Sequence, residues 1–252
     1  MLSTSGSAGS ASTSPDQRTP GDELRVLVDR VVDCRACPRL VGWREKVARE
    51  KRAAFAAEDY WGRPVPPFGD PHGWLLVVGL APAAHGGNRT GRMFTGDRSG
   101  DWLYASMHRT GFANQPYAVS KDDGLTLTDV YITAPVRCAP PANKPTLEER
   151  DTCLPYMVRE LELLPNIRVI VALGKFAWDA ALKVLLLAGE TIPKPKPKFG
   201  HLADAAVGSY RLVGSYHPSQ QNTFTGKLTE PMMDAVFLRA RSLVGEENAT
   251  GG

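Results

Sequence analysis

Residues 74–97 read WLLVVGLAPAAHGGNRTGRMFTGD. The first seven form an apolar run of strand length. The rest is a polar loop with glycines at 86, 87, 91 and 96. An apolar run bounded by turn residues reads as a strand buried on both faces. Three later stretches share that character: Leu127 to Thr133, Arg168 to Leu173 and Arg211 to Tyr216. Helical patterns lie between them, at Asp101 to Thr110, Thr146 to Leu164, Lys175 to Leu187 and Leu228 to Val244. Asp22 to Asp33 and a stretch around Trp43 to Phe55 precede the first strand. Alternating strands and helices predict an α/β fold of three α/β/α layers around a central four-stranded parallel sheet. Such sheets bind ligands outside the carboxyl ends of their strands. The three least ordinary loops fall there: APAAHGGNRTGRMFTGD (81–97), APVRCAPPANKP (134–145) and HPSQQNTFTG (217–226).

The glycine-rich loop invites a phosphate reading, and its details argue against a nucleotide. GGNRTGR lacks the Lys-Ser/Thr ending of a P-loop, and no G-x-G-x-x-G occurs in it. Its side chains suit a nucleic acid better. Arg89 and Arg92 are placed to meet phosphates, and Phe94 to stack on a base. Asp97 is a candidate to hold or activate a water, with a helix N-cap as its structural alternative. Phe94 likewise has a plain core role as its alternative. In the third loop His217 stands directly at a strand end, before a strand-breaking proline. Gln220, Gln221, Asn222 and Thr223 follow it, and Phe224 is an apolar wedge candidate.

Composition sets outer bounds. At 252 residues, with 42% hydrophobic and 23% charged residues, the chain is ordinary globular material. No apolar run approaches the length of a membrane span. Residues 1–21 are rich in Ser, Gly and Thr and read as a disordered tail. That stretch lacks a secretory h-region, so a cytoplasmic protein is expected. Residues 22–244 are expected to form one domain, and 245–252 a frayed second tail. A net charge of +3 is only a faint hint of a polyanionic partner.

The four cysteines are Cys34, Cys37, Cys138 and Cys153. C-x-x-C sets two thiols on one turn, and the second pair is wide. Four thiolates suit either zinc or an iron–sulfur cluster. The wide pair favours a cluster, which tolerates more spread ligands than a single ion. Four unrelated buried thiols are the structural alternative.

Taken together, GLAPAAHGGNRTGRMFTGD (79–97), RCAPPANKP (137–145), HPSQQN (217–222) and the cysteine spacing resemble the uracil-DNA glycosylases. The likeness is to the family 5, or B-type, branch of bacteria and archaea, and it spans roughly residues 22–244. The absence of a polar side chain from Gly79 to Ala84 is typical of that branch. The resemblance implies a glycosylase of base excision repair. It would flip uracil, and also hypoxanthine or xanthine, out of DNA and hydrolyse the N-glycosidic bond. It implies Asp97, His217 and Asn143 as catalytic residues and Phe94, Ala81, Ala83 and Gly79 around the base. Arg89, Arg92, Ser219, Gln220 and Asn222 would meet DNA. Cys34, Cys37, Cys138 and Cys153 would hold a 4Fe-4S cluster, with zinc as the alternative. Arg35, Arg39, Arg137 and the KPKPK run (194–198) are further candidates for phosphate contact. The expected partner is duplex DNA carrying a deaminated base, or single-stranded DNA, bound by a monomer. A non-catalytic, metal-stapled DNA-binding module is the rival reading.

Overall fold

The computed structural model describes residues 18–250, with side chains as far as Glu246. Six strands form one sheet in the order β1-β3-β2-β4-β6-β5. They are β1 (Phe68–Gly69), β2 (Leu75–Val78), β3 (Val130–Thr133), β4 (Val169–Leu173), β5 (Asp204–Val207) and β6 (Tyr210–Ser215). The middle four are mutually parallel. They are the four strands expected from sequence. Every residue of β2, β3 and β4 is buried, as a sheet covered on both faces requires. The expectation of four strands needs one correction. Two antiparallel edges, β1 against β3 and β5 against β6, extend the sheet. Neither had a readable signal, because β1 spans only two residues and β5 is DAAV.

The helices are α1 (Pro20–Val32), α2 (Pro38–Glu50), α3 (Gly87–Thr90), α4 (Arg98–Arg109), α5 (Leu147–Leu163), α6 (Lys175–Leu187), α7 (Gln220–Phe224) and α8 (Glu230–Thr250). Successive strand residues face opposite sides of the sheet, so each strand feeds two cores. Leu75, Val77, Ile132, Val171 and Val213 pack with Leu103, Met107, Phe237 and Ala240 of α4 and α8. Leu76, Val78, Ile170 and Leu212 pack with Leu27, Leu161, Trp178 and Leu182 of α1, α5 and α6. This is the expected three-layer arrangement.

Several element boundaries differ from the expectation, each for a local reason. Thr19 and Asp22 form a capping box, so α1 starts at Pro20, inside the presumed tail. Helix α2 begins at Pro38, a favoured first position, and ends at Glu50, followed by Lys51 with φ of +54°. The expected continuation to Phe55 is a separate 3-10 turn, Ala53–Phe55. Helix α8 runs to Thr250, past the start of the presumed C-terminal tail. Residues 1–17 and 251–252 lie outside the described residues. No helix among the described residues is long and apolar enough to cross a membrane.

Candidate active site and cysteine recess

The first loop leaves β2 at Gly79, whose N–H donates to Thr133 O across the sheet (2.9 Å). A Cβ at Gly79 would lie 2.7 Å from the Phe94 ring, so the missing side chain makes room for that ring. Phe94 has φ of +52°, a costly conformation for a bulky residue. Its neighbours hold it there. Tyr104 Oη and Thr95 Oγ1 both donate to Met93 O, at 2.8 and 3.1 Å. A Cβ on Gly100 would meet Phe94 O at 1.8 Å. The Phe94 ring is half-buried and lies 6.2 Å from the His217 ring, tilted by 34°. His217 arrives on β6 and the turn after it. Its Cβ packs near Gly174, whose φ of +92° makes the sharp turn after β4. Phe94 thus stands between Gly79 and His217 at the carboxyl edge of the sheet.

Asp97 is the N-cap that its structural reading describes. Its Oδ1 caps α4, accepting from Ser99 N (2.9 Å) and Gly100 N (3.2 Å). Its Oδ2 has no hydrogen bond among the described residues and lies against the Gly86 backbone, where a Cβ would come within 1.9 Å. Burial pushes the Asp97 carboxyl above the usual range, against the two backbone donors that hold it down. Burial also lowers the His217 imidazole to about 4, so the ring is neutral at physiological pH. Two titratable groups at one sheet edge, each moved by desolvation, make Asp97 and His217 candidates for acid–base chemistry.

Ala81 and Ala83 are half-buried on the same loop, and Ala83 O accepts from Gly86 N and Asn88 N, at 3.2 and 3.0 Å. Asn143 is exposed in the 3-10 turn Pro141–Asn143, with φ of +54°. No contact among the described residues joins it to Phe94, His217 or Asp97. Ser219 caps α7 through Asn222 N, and Asn222 Nδ2 donates to His217 O (2.9 Å). These two residues hold the loop's shape, while Gln220 is exposed on its first turn.

The arginines require correction. Arg89 and Arg92, expected on phosphates, are buried. Arg89 donates to His85 O and Gly96 O, pairs with Glu58 and lies over the Phe55 ring. Arg92 binds both oxygens of Asp123, at 2.9 and 2.8 Å, and Thr95 Oγ1 at 2.9 Å. Both staple the loop from inside. Arg137 is buried on Glu160, and Arg35 and Arg39 are paired with Glu45 and Glu149. Within KPKPK, Lys196 pairs with Asp179 at 3.4 Å.

Other cations hold the exposed positions, and sequence gave no sign of them. Arg98 lies over the Phe224 ring (5.0 Å), and Lys227 over Tyr216 (4.8 Å). Lys144 is exposed beside Asn143. None of the three has an ion pair among the described residues, and each belongs to a different site loop or its flank. Phe224 is 69% exposed, the highest value among the large exposed apolar side chains. Also unforeseen is a pair beside the first loop, Tyr60 Oη with His85 Nδ1 at 3.0 Å.

Cys34, Cys37, Cys138 and Cys153 line one recess with Val31, Leu40, Pro64 and Tyr156. All four are free thiols. The recess is ≈ 360 Å³, counting space open to solvent. No group of three or more His, Cys, Asp or Glu among the described residues is arranged to hold a single metal ion. Four thiols spread around one apolar cavity fit a group larger than one ion.

Comparison with known proteins agrees with this geometry. The pattern of the Uracil DNA glycosylase superfamily matches residues 66–241. A type-5 uracil-DNA glycosylase of Mycobacterium bovis is 57% identical over 227 residues, covering 89% of this chain and 82% of that protein. One of Thermus thermophilus is 50% identical over 224 residues, covering 88% and 99%. A type-4 uracil-DNA glycosylase of Archaeoglobus fulgidus is 39% identical over only 98 residues. With the superfamily pattern spanning the sheet and all three site loops, the chain belongs to the uracil-DNA glycosylase superfamily.

Proposed function

We propose that the protein is a monomeric DNA glycosylase that hydrolyses the N-glycosidic bond of uracil in DNA, leaving an abasic site, and that it also accepts hypoxanthine and xanthine. The observation that carries this reading is the meeting of Phe94, Gly79 and a neutral His217 at the carboxyl edge of the sheet, with Asp97 on the same loop as Phe94. A base in duplex DNA is stacked and paired, so it must be extruded to react. Phe94 stacks on the extruded base, a contact worth about 1–3 kcal/mol. Bond cleavage leaves an anionic base and a cationic sugar. His217, neutral, donates a hydrogen bond to the charge developing on the base. Asp97 Oδ2, free of the capping duty that occupies Oδ1, orients water and offsets the charge on the sugar. Asn143 supplies a further amide to base or water on closure around DNA. The small side chains of Ala81 and Ala83 leave room for purines.

Phosphate contact falls to Arg98, Lys144 and Lys227 in place of the buried arginines, and Phe224 fills the space the base vacates. The recess lined by Cys34, Cys37, Cys138 and Cys153 suits a 4Fe-4S cluster better than zinc. When bound, such a cluster would cross-link the α1–α2 turn to the segment from Cys138 to α5. Hydrolysis needs no redox step.

The test is cleavage of labelled duplexes carrying single uracil, hypoxanthine or xanthine, followed by alkali. The expected result is breaks at all three lesions, lost in Asp97→Asn and His217→Ala. Breaks at uracil alone would remove the broad range. No breaks by iron-loaded protein would leave the DNA-binding module as the better account.

A further inference from the structure

Buried arginines in this protein come with carboxylates: Arg89 with Glu58, Arg92 with Asp123, Arg137 with Glu160. Arg44 departs from that pattern. Its side chain is 2% exposed, and its nearest carboxylate, Glu45, is 4.0 Å away, partly exposed and bound by Arg35. Its guanidinium turns instead to the cysteine recess. Nη1 lies 2.9 Å from Cys138 Sγ, and Nη2 donates to Cys34 O at 3.3 Å. Its Nε is buried without any partner. Arg137, which lines the same recess, also leaves Nε and Nη1 buried and unpartnered. A buried cation without a counter-anion is strongly unfavourable. Something anionic therefore belongs in the recess.

We infer that Arg44 is the counter-cation of a thiolate-ligated cluster, holding its charge through a hydrogen bond to the Cys138 sulfur. The inference rests on the cluster reading above. A cluster held by four thiolates carries net negative charge, and hydrogen bonds and charges around its sulfurs set its retention and its potential. Arg44 also reaches the reacting side of the molecule. Its carbonyl accepts from Asn88 Nδ2 (3.2 Å), a buried residue of the loop that carries Phe94 and Asp97. The Arg44 backbone thus joins the two regions, while its side chain serves the recess.

The experiment uses full-length protein as purified. Iron and acid-labile sulfide per chain, the rate of bleaching under a chelator, and the reduction potential are measured for wild type, Arg44→Gln and Arg44→Lys. Arg44→Gln should bleach about 10–100-fold faster and take a more negative potential, because the reduced cluster loses its cation. Arg44→Lys, which keeps the charge, should stay near the wild-type potential. A residue that merely packs would change bleaching in both variants and potential in neither. Glu45→Gln, at a partly exposed position, tests the same field with opposite sign and should raise the potential even if Arg44→Gln fails to fold. Unchanged potentials in Arg44→Gln and Glu45→Gln, or in Glu45→Gln alone where Arg44→Gln does not fold, overturn the inference in iron-loaded protein. Wild type without iron removes the cluster reading itself, and this inference with it.

Discussion

The first site loop and the cysteine recess both bury arginines, and they satisfy them differently. In the loop, Arg92 binds both oxygens of Asp123, and Arg89 divides its donors among Glu58, His85 O and Gly96 O. At the recess, Arg44 meets Cys138 Sγ and leaves its Nε buried without a partner, and Arg137, although held by Glu160, leaves Nε and Nη1 unpartnered. A region whose buried charges are paired internally is complete as protein. One whose buried cation meets sulfur would be completed by the thiolate-ligated cluster proposed above. The loop's shape is therefore fixed by its own pairs, while the recess would depend on the proposed cluster.

The largest effect that could break this comparison is at Asp97. Asparagine caps a helix about as well as aspartate. Asp97→Asn should therefore lower kcat on uracil by about 10²–10⁴-fold while moving the unfolding free energy by under about 1 kcal/mol. A large stability loss with activity retained would make Asp97 a cap alone.

Next comes Arg92→Met. Leaving Asp123 without its counter-charge, though still bound by the N–H groups of Val119, Ser120 and Leu125, should cost about 3 kcal/mol in denaturant unfolding. The salt dependence of DNA binding should not change. A shallower salt slope in a stable variant would return Arg92 to the DNA surface.

A smaller effect follows from His217. Its folded pKa of about 4 lies below the ordinary histidine value, so between those two values the unfolded chain binds more protons. The associated stability is complete above about pH 6.5 and declines as the pH falls toward about 4. Denaturant melts across that window should show the decline, and His217→Gln should flatten it. Equal slopes in the two proteins would mean that His217 is not desolvated.

The finest test concerns the exposed cations. Arg98→Met and Lys227→Met should each change stability by less than about 0.5 kcal/mol. Each should also make the log–log salt slope of DNA binding shallower by about 0.9. Slopes equal to wild type would remove these residues from the phosphate contacts.

Much of the architecture was legible because its signals are local. LLVV and VIVAL are buried on both faces, and an apolar run announces that environment directly. Thr146 and Glu149 announced the start of α5, where they form a capping box. The edge strands were not legible, since two residues at Phe68–Gly69 become a strand only by pairing with β3. In the site, the loops bearing Phe94, Asp97 and His217 stood out by composition and place in the chain. The arginines misled, because GGNRTGRMFTGD does not say that Glu58 and Asp123 wait to receive Arg89 and Arg92.

The sequence by itself determined the parallel core, the three loops at its carboxyl edge and the four thiols, because periodicity, turn residues and spacing act over a few positions. Tertiary structure alone decided which charges face inward. Arg89 and Arg92 were drawn into the protein by carboxylates about 30 residues away, whereas Arg98 and Lys227 remained outside on aromatic faces. The direction a long cationic side chain takes depends on the partners that folding brings within a few ångströms, and its own neighbours in the chain carry little of that information.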